Sequence, residues 1–166
     1  MNLSTRIKLF LFLCGFALPW GPAASGQLML GDMAFVEYQS DNPDIFSVVV
    51  LTDVPAGTQF TVTDFGWFAA GGFRDTEGYW TFETATVLGC GQVLWYDDAN
   101  SELRVGADVT AATIIDGSGP ALSSGGDQLF LFAGGINDQP TDNSMAELDK
   151  FVAAIQMNGA WDADAT

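Results

Sequence analysis

The sequence predicts an all-β protein folded as an antiparallel sandwich. Three observations support this. Apolar runs are short and are separated by Gly, Pro, Asn and Asp. Several runs alternate apolar and polar residues with a period of two. The chain shows no heptad pattern and no repeat of fixed period.

Each strand is predicted from its own pattern. Asp32–Tyr38 places Ala34, Val36 and Tyr38 on one side. The next run, 45–52, is almost entirely apolar and β-branched, as in a strand inside a sandwich. In Gln59–Thr63, strict alternation predicts that Phe60 and Val62 point inward and the threonines outward.

The second half of the chain predicts further strands, beginning with 79–83, where Trp80 and Phe82 point inward. Residues 122–132 read as a turn that leads into a strong strand, and 151–157 read as a strand, although 145–155 also fits a short helix. The remaining predicted strands are 92–96 and, more weakly, 107–115.

Residues 64–78 form a predicted loop with four glycines and the aromatic residues Phe65, Trp67, Phe68 and Phe73. Such aromatics either fold over the open end of the core or line a binding surface. The sequence favours the first interpretation, because small sandwiches need their ends covered.

The N-terminus has the pattern of a secretory signal peptide over residues 1–26. Arg6 and Lys8 precede an apolar run, 9–18, and small residues follow it, which places cleavage after Ser25 or Gly26. A short anchor helix is the alternative, and a lipoprotein signal at Cys14 is disfavoured by the bulky Leu13 before it. The remaining residues, 27–166, are enough for a single β-sandwich domain.

Composition excludes several function classes. Without Arg6 and Lys8, the chain has 21 acidic residues and only three basic ones, which gives a net charge of −18. The three basic residues are Arg74, Arg104 and Lys150. Three scattered cations cannot neutralise a phosphate backbone, so nucleic acid is not an expected partner. Histidine is absent, which removes Ser-His-Asp and Cys-His catalysis and His-ligated metal sites.

Cys90 is the one cysteine after residue 26, so no intramolecular disulfide is expected in the secreted domain. A buried small apolar residue is the favoured interpretation, and intermolecular pairing is the alternative. No cofactor is expected.

Acidic clusters are the remaining candidates for chemistry. The carboxylate oxygens of these clusters could bind Ca²⁺, but no cluster has the spacing of an EF-hand loop. Asp also favours turns through local hydrogen bonds, which explains the clusters without a metal ion. A carboxylate pair acting on glycosides is a further alternative with little specificity. The weak Ca²⁺ candidates are Asp41, Asp44, Asp97, Asp98, Asp138 and Asp142. Gly126 and Asp127 are predicted to form a structural turn before the strand that ends at Phe132.

Three motifs together resemble the lamin-tail type of immunoglobulin-like domain found in secreted bacterial proteins. They are Asp64-Phe65-Gly66-Trp67, the Gly89-Cys90-Gly91 turn and the Gly126-Asp127 turn with its alternating strand. The resemblance covers most of residues 32–157 and implies an immunoglobulin-like antiparallel β-sandwich. It carries over no catalytic residue, and residues 64–78 are longer than a compact domain of that type needs.

The sequence therefore predicts a secreted, non-catalytic module that binds, displays or supports another component of the cell surface or extracellular space. Its expected partner is a protein or cell-surface component, and no membrane span is expected after residue 26. A Ca²⁺-dependent adhesion or matrix protein is the alternative, followed by a carboxylate-based glycoside hydrolase. The chain also fits a sandwich whose last strand, or an anchoring signal, would follow residue 166.

Overall fold

A computed structural model describes residues 26–157, except 41–42, 75–76, 98, 108 and 126. The described part is nearly all β, as predicted. The nine strands are β1 Met33–Gln39, β2 Ile45–Val50, β3 Gln59–Thr63, β4 Tyr79–Thr84, β5 Val93–Asp97, β6 Glu102–Val105, β7 Val109–Asp116, β8 Gln128–Ala133 and β9 Phe151–Gln156. A short helix, α1 Met145–Leu148, and a 3₁₀ turn, Ile136–Asp138, lie between β8 and β9.

All nine strands belong to one antiparallel sheet in the order β1-β2-β5-β6-β7-β4-β3-β8-β9. The sheet curls so that its two end strands, β1 and β9, meet. The N–H of Gly31 donates to the carbonyl of Val152 at 3.0 Å across this seam. The result is a nearly closed, barrel-like sandwich.

The core lies inside this sheet and combines Leu and Val side chains with a cluster of aromatic rings. Phe46 stacks on Tyr96 with ring centroids 5.4 Å apart, and Trp80 lies 4.2 Å from Tyr96. Phe82 packs edge-on to Phe46 at 6.5 Å. Burial of these rings is a large favourable term in folding, at about 25 cal/mol per Å² of apolar surface.

The predicted orientation of β1 is wrong for Ala34 and Val36. A bulge at Val36 shifts the pairing with β2, because Phe35 faces Val48 and Glu37 faces Ser47. Met33, Phe35 and Tyr38 therefore pack on the core, and Val36 is exposed. A single extra residue reverses the alternation that the sequence pattern assumes.

β3 has the predicted bounds, and Phe60 and Val62 point inward as predicted. Its threonines, predicted to face solvent, are fully buried. The Thr61 hydroxyl lies 2.9 Å from the Thr81 hydroxyl, and the Thr63 hydroxyl donates to the Gly78 carbonyl at 2.7 Å. A second layer of chain therefore covers the outer face of β3.

One strand departs from the sequence predictions, and the segment with two alternatives is resolved. β6 is not predicted, because its four residues are too short for a clear alternating pattern. The helix and strand alternatives near the end of the described part are both realised in succession, as α1 and then β9.

Candidate functional site

Residues 64–78, the glycine-rich segment, cover the outer face of the sheet at β3, β8 and β9 rather than the open end of the core. The Phe73 ring lies 5.2 Å from Phe130, 5.8 Å from Phe132 and 5.8 Å from Phe151. Phe130 and Phe132 face Thr63 and Thr61 across the β3–β8 pair, on the face opposite the core. All six residues of β8 are buried as a consequence, three on each face.

Trp67 connects this outer layer to the segment that precedes α1. Its ring lies 5.0 Å from Phe73 and 5.1 Å from Phe151, and its indole N–H donates to the Asn143 side chain at 3.2 Å. Gly71 has a φ of +98°, and a Cβ there would lie 2.7 Å from the Asp142 Cα. Only glycine allows the two segments to approach this closely.

An apolar groove remains between Trp67 and α1, above β9. Its volume is about 370 Å³, and its floor includes the small residue Ala154, which pairs with the outward-facing Phe130. The residues that line it are Leu30, Trp67, Phe130, Leu148, Phe151, Ala153 and Ala154. We refer to this site as the β9 groove.

The rim of the β9 groove is apolar and exposed. Leu30 is 72% exposed and Leu148 is 37% exposed. Met145 lies three residues before Leu148, on the same side of α1, and is 74% exposed. Large exposed apolar side chains that surround a depression indicate a binding surface rather than scattered surface residues.

Local hydrogen bonds fix both sides of the rim. On one side, the Asp32 carboxylate accepts the Met29 N–H at 2.7 Å, which forms a tight turn and positions Leu30. On the other side, the Ser144 hydroxyl caps α1 by accepting the Glu147 N–H at 3.3 Å. The groove is therefore built on ordered elements rather than on free loops.

A larger depression of about 590 Å³ has a different character. Its lining includes Gln59, Asp138 and Lys150 with three glycines, so polar groups contribute much of its surface. Lys150 is already paired with Glu147, with the ammonium 3.1 Å from the carboxylate. The β9 groove is the more distinctive candidate because its lining is almost wholly apolar in a strongly acidic chain.

A second cluster of functional groups lies where the chain crosses from β7 to β8. Three successive backbone N–H groups of this crossing donate to three carboxylates from different parts of the chain. Ala121 donates to Asp64 at 2.8 Å, Leu122 to Asp44 at 2.9 Å, and Ser123 to Asp127 at 3.1 Å. We call this arrangement the carboxylate clasp.

Burial raises the pKa of two carboxyl groups of the clasp, Asp64 and Asp127, and of the neighbouring Glu77. Burial raises the pKa of Asp64 to about 6, against the hydrogen bonds from Ala121 and Gly78, and the charges of Asp127 and Glu77 raise it further. Burial likewise raises the pKa of Asp127 and of Glu77. Asp64 is only 1% exposed and both of its oxygens accept backbone N–H groups, so it is committed to structure rather than open to a substrate.

The four Ca²⁺ candidates among the described residues belong to separate turns. Asp44 is in the clasp, Asp97 bonds to Asn100 and Arg104, Asp138 accepts the Gly135 N–H, and Asp142 accepts the Ser144 N–H. Within the described ranges, no three acidic or sulfur side chains gather where they could hold a metal ion. Asp41 and Asp98 lie outside the described residues.

The predicted structural turn is described only at Asp127, because Gly126 lies outside the described residues. The Asp127 carboxylate accepts the N–H of Ser123 at 3.1 Å and of Gln128 at 2.8 Å. It therefore joins the start of β8 to the crossing segment.

Cys90 is exposed, so its interpretation as a buried apolar residue is wrong. Its thiol donates to the Leu51 carbonyl at 3.2 Å, and its N–H donates to the Asp53 carboxylate at 2.9 Å. The tight turn directs this side chain away from the core.

The β9 groove is not predicted by the sequence. Leu30 follows Leu28 and Met29 in an apolar run without alternation, and Ala153-Ala154 are small residues in an otherwise bulky strand. These two signals could have indicated an exposed apolar rim and a depression. Neither of them indicates that the two segments lie side by side.

Comparison with known proteins gave no matching family model, no matching curated protein and no matching solved structure. Among the described residues, none of the helices has the length and apolar character that a membrane crossing requires. The function is therefore inferred from the site itself.

Proposed function

We propose that this chain is a secreted, non-catalytic binding module that holds a protein partner of the cell surface or extracellular space through the β9 groove. The observation that carries the proposal is the groove itself, an apolar depression with exposed leucines on its rim. Exposing such side chains to water costs free energy that a partner recovers on binding.

The construction of the groove also favours binding over catalysis. Its lining has aromatic and aliphatic side chains and no titratable group, so it offers no acid, base or nucleophile. Its floor is formed by paired strands, β8 and β9, which keep its shape before a partner arrives. A preformed site loses less conformational entropy on binding.

The resemblance to lamin-tail-type domains supports the same proposal, because domains of that type usually display or bind other components. Under this proposal, the sandwich has an immunoglobulin-like topology, as those domains do. Residues 1–26 direct the chain to secretion. Mass spectrometry of the secreted protein tests the secretion step. A mature N-terminus at Gly26 or Gln27 is expected, and retention of residues 1–25 would contradict it.

Site-specific crosslinking tests the binding function. A photoreactive phenylalanine analogue placed at Leu148 should crosslink to a recurrent, identifiable protein on cells that secrete this chain. The same analogue at Val109, an exposed residue of β7 far from β9 in the sheet order, is the matched control.

The crosslink at position 148 should be lost when Leu30→Asp places a charge on the opposite rim. Val109→Asp should leave it unchanged. Crosslinking that is equal at both positions, or absent at position 148, would contradict the proposed function.

A further inference from the structure

We infer that the β9 groove takes a partner segment in which one or two large apolar side chains are flanked by lysine or arginine. This inference rests on the proposed function and adds the chemistry of the partner. Two independent features lead to it, namely the charge around the rim and the size of the groove.

The segments that form the rim carry an excess of carboxylates. Asp32 follows Leu30 by two residues, Asp149 follows Leu148, and the Asp142 backbone lies against Gly71 in the segment that carries Trp67. Glu147, the residue before Leu148, is neutralised by its pairing with Lys150. The hydrogen bonds from Ser144 hold the pKa of Asp142 below its usual range, so that carboxylate is ionised at neutral pH.

The two cations in the segments beside the rim, Lys150 and Arg74, each have a partner within the chain. Lys150 pairs with Glu147 at 3.1 Å, and the Arg74 guanidinium lies 4.9 Å from the Phe68 ring centroid. The rim is therefore negatively charged, as is the whole chain, whose net charge is −16. A segment with basic residues beside its apolar anchors is therefore attracted and oriented by the rim.

The size of the groove fits side chains rather than a folded surface. A volume of about 370 Å³ is near the lower end of the range of about 300–1,000 Å³ for ligand sites. Anchor residues of protein interfaces are typically large side chains that fill such pockets. Phosphate-bearing partners such as nucleic acid or anionic lipid are disfavoured, because the rim carboxylates repel them.

Selection from a random peptide library tests the inference and lets the groove itself choose the sequences that it binds. The library is selected on the intact secreted protein, and each enriched peptide is then measured against a variant with a blocked groove, Ala154→Trp. The matched control is Val109→Trp, which adds the same side chain on β7. Leu148→Asp, which replaces an apolar side chain of the rim with a polar one, is the second groove variant if Ala154→Trp fails to fold.

We expect enriched peptides that combine Leu, Phe or Trp with two or more Lys or Arg, and whose affinity falls about tenfold or more in the blocked variant. The Val109→Trp control should bind them normally. Groove-dependent peptides without a basic excess would overturn the partner chemistry and leave the proposed function standing. A selection that yields no groove-dependent peptide would overturn both.

Charge reversal provides the second readout. Asp149→Lys should weaken the enriched peptides at least threefold at about 50 mM NaCl, and the loss should shrink at about 500 mM because salt screens exposed charges. Asp116→Lys on β7 makes the same change in net charge away from the groove and should have little effect. Equal losses in the two variants would contradict a specific role for the rim.

Discussion

The buried carboxylate of Asp64 accepts the backbone N–H of Gly78 at 2.9 Å, so one side chain joins the two ends of the glycine-rich segment. The other oxygen of the same carboxylate accepts the N–H of Ala121. Asp64 therefore anchors both the segment that supplies Trp67 to the β9 groove and the crossing between β7 and β8. Asp64 itself does not line the groove.

Asp64→Ala should destabilise the domain by about 2–4 kcal/mol. The substitution leaves the N–H groups of Gly78 and Ala121 without their acceptor, and an unpaired buried N–H costs about 1–3 kcal/mol. Urea denaturation measures the change. The exposed Asp116→Ala is the matched control and should cost less than about 1 kcal/mol.

If Asp64→Ala lowers the free energy of unfolding no more than Asp116→Ala does, the anchoring role is contradicted. Peptide binding by the folded Asp64→Ala protein should also weaken, because Trp67 would lose its fixed position. Binding unchanged at full strength would show that the groove does not depend on this anchor.

Acidification from pH 7 to about pH 5 should stabilise the domain. The pKa of Asp64 is about 6 in the folded protein against 3.8 for a free carboxyl, so the folded state takes up a proton that the unfolded chain does not. The free energy of unfolding therefore rises as the pH falls through 6, by on the order of 3 kcal/mol for this group when complete. The raised pKa values of Glu77 and Asp127 act in the same direction.

Thermal melts between pH 4 and pH 8 test this pH dependence. Asp64→Asn cannot titrate at this position, so its melting temperature should depend less on pH than that of the natural sequence. Below about pH 4 the trend should reverse, since the lowered pKa values of Asp97 and Asp142 mark carboxylates that favour the folded state only when ionised. A melting temperature that falls steadily from pH 7 to pH 5 would contradict the assignment.

Asp127→Ala should cost about 1–2 kcal/mol of stability. The substitution removes the acceptor of the Ser123 and Gln128 N–H groups at the start of β8. Asp127→Asn retains one acceptor oxygen and should recover part of the loss. Thermal and urea unfolding give the values, and an alanine variant as stable as the natural sequence would mean that the turn holds without this side chain.

Ca²⁺ should bind weakly and without defined stoichiometry. The candidate carboxylates that the structure describes belong to separate turns, whereas a tight Ca²⁺ site gathers six to eight oxygens at one point. Calorimetric titration of the purified protein in about 150 mM NaCl is the measurement. A saturable site tighter than roughly 100 μM would instead favour the Ca²⁺-dependent adhesion alternative.

The sequence by itself determined the all-β class and most of the strands. Period-two alternation identifies β3 and β4, including the inward positions of Phe60 and Phe82, because side-chain direction in a strand follows directly from residue order. The missing histidines and scarce cations likewise limit the chemistry without any structure. Such properties are local or compositional.

Only the tertiary structure decided what the outer face of the sheet contacts. The bulge at Val36, the burial of Thr61 and the β9 groove all depend on which distant segments meet, and the local pattern does not encode that pairing. Leu30 and Leu148 come together because the sheet curls until β1 approaches β9 and because α1 packs beside the glycine-rich segment. The site is thus a product of sheet closure, since its two sides are 118 residues apart in the chain.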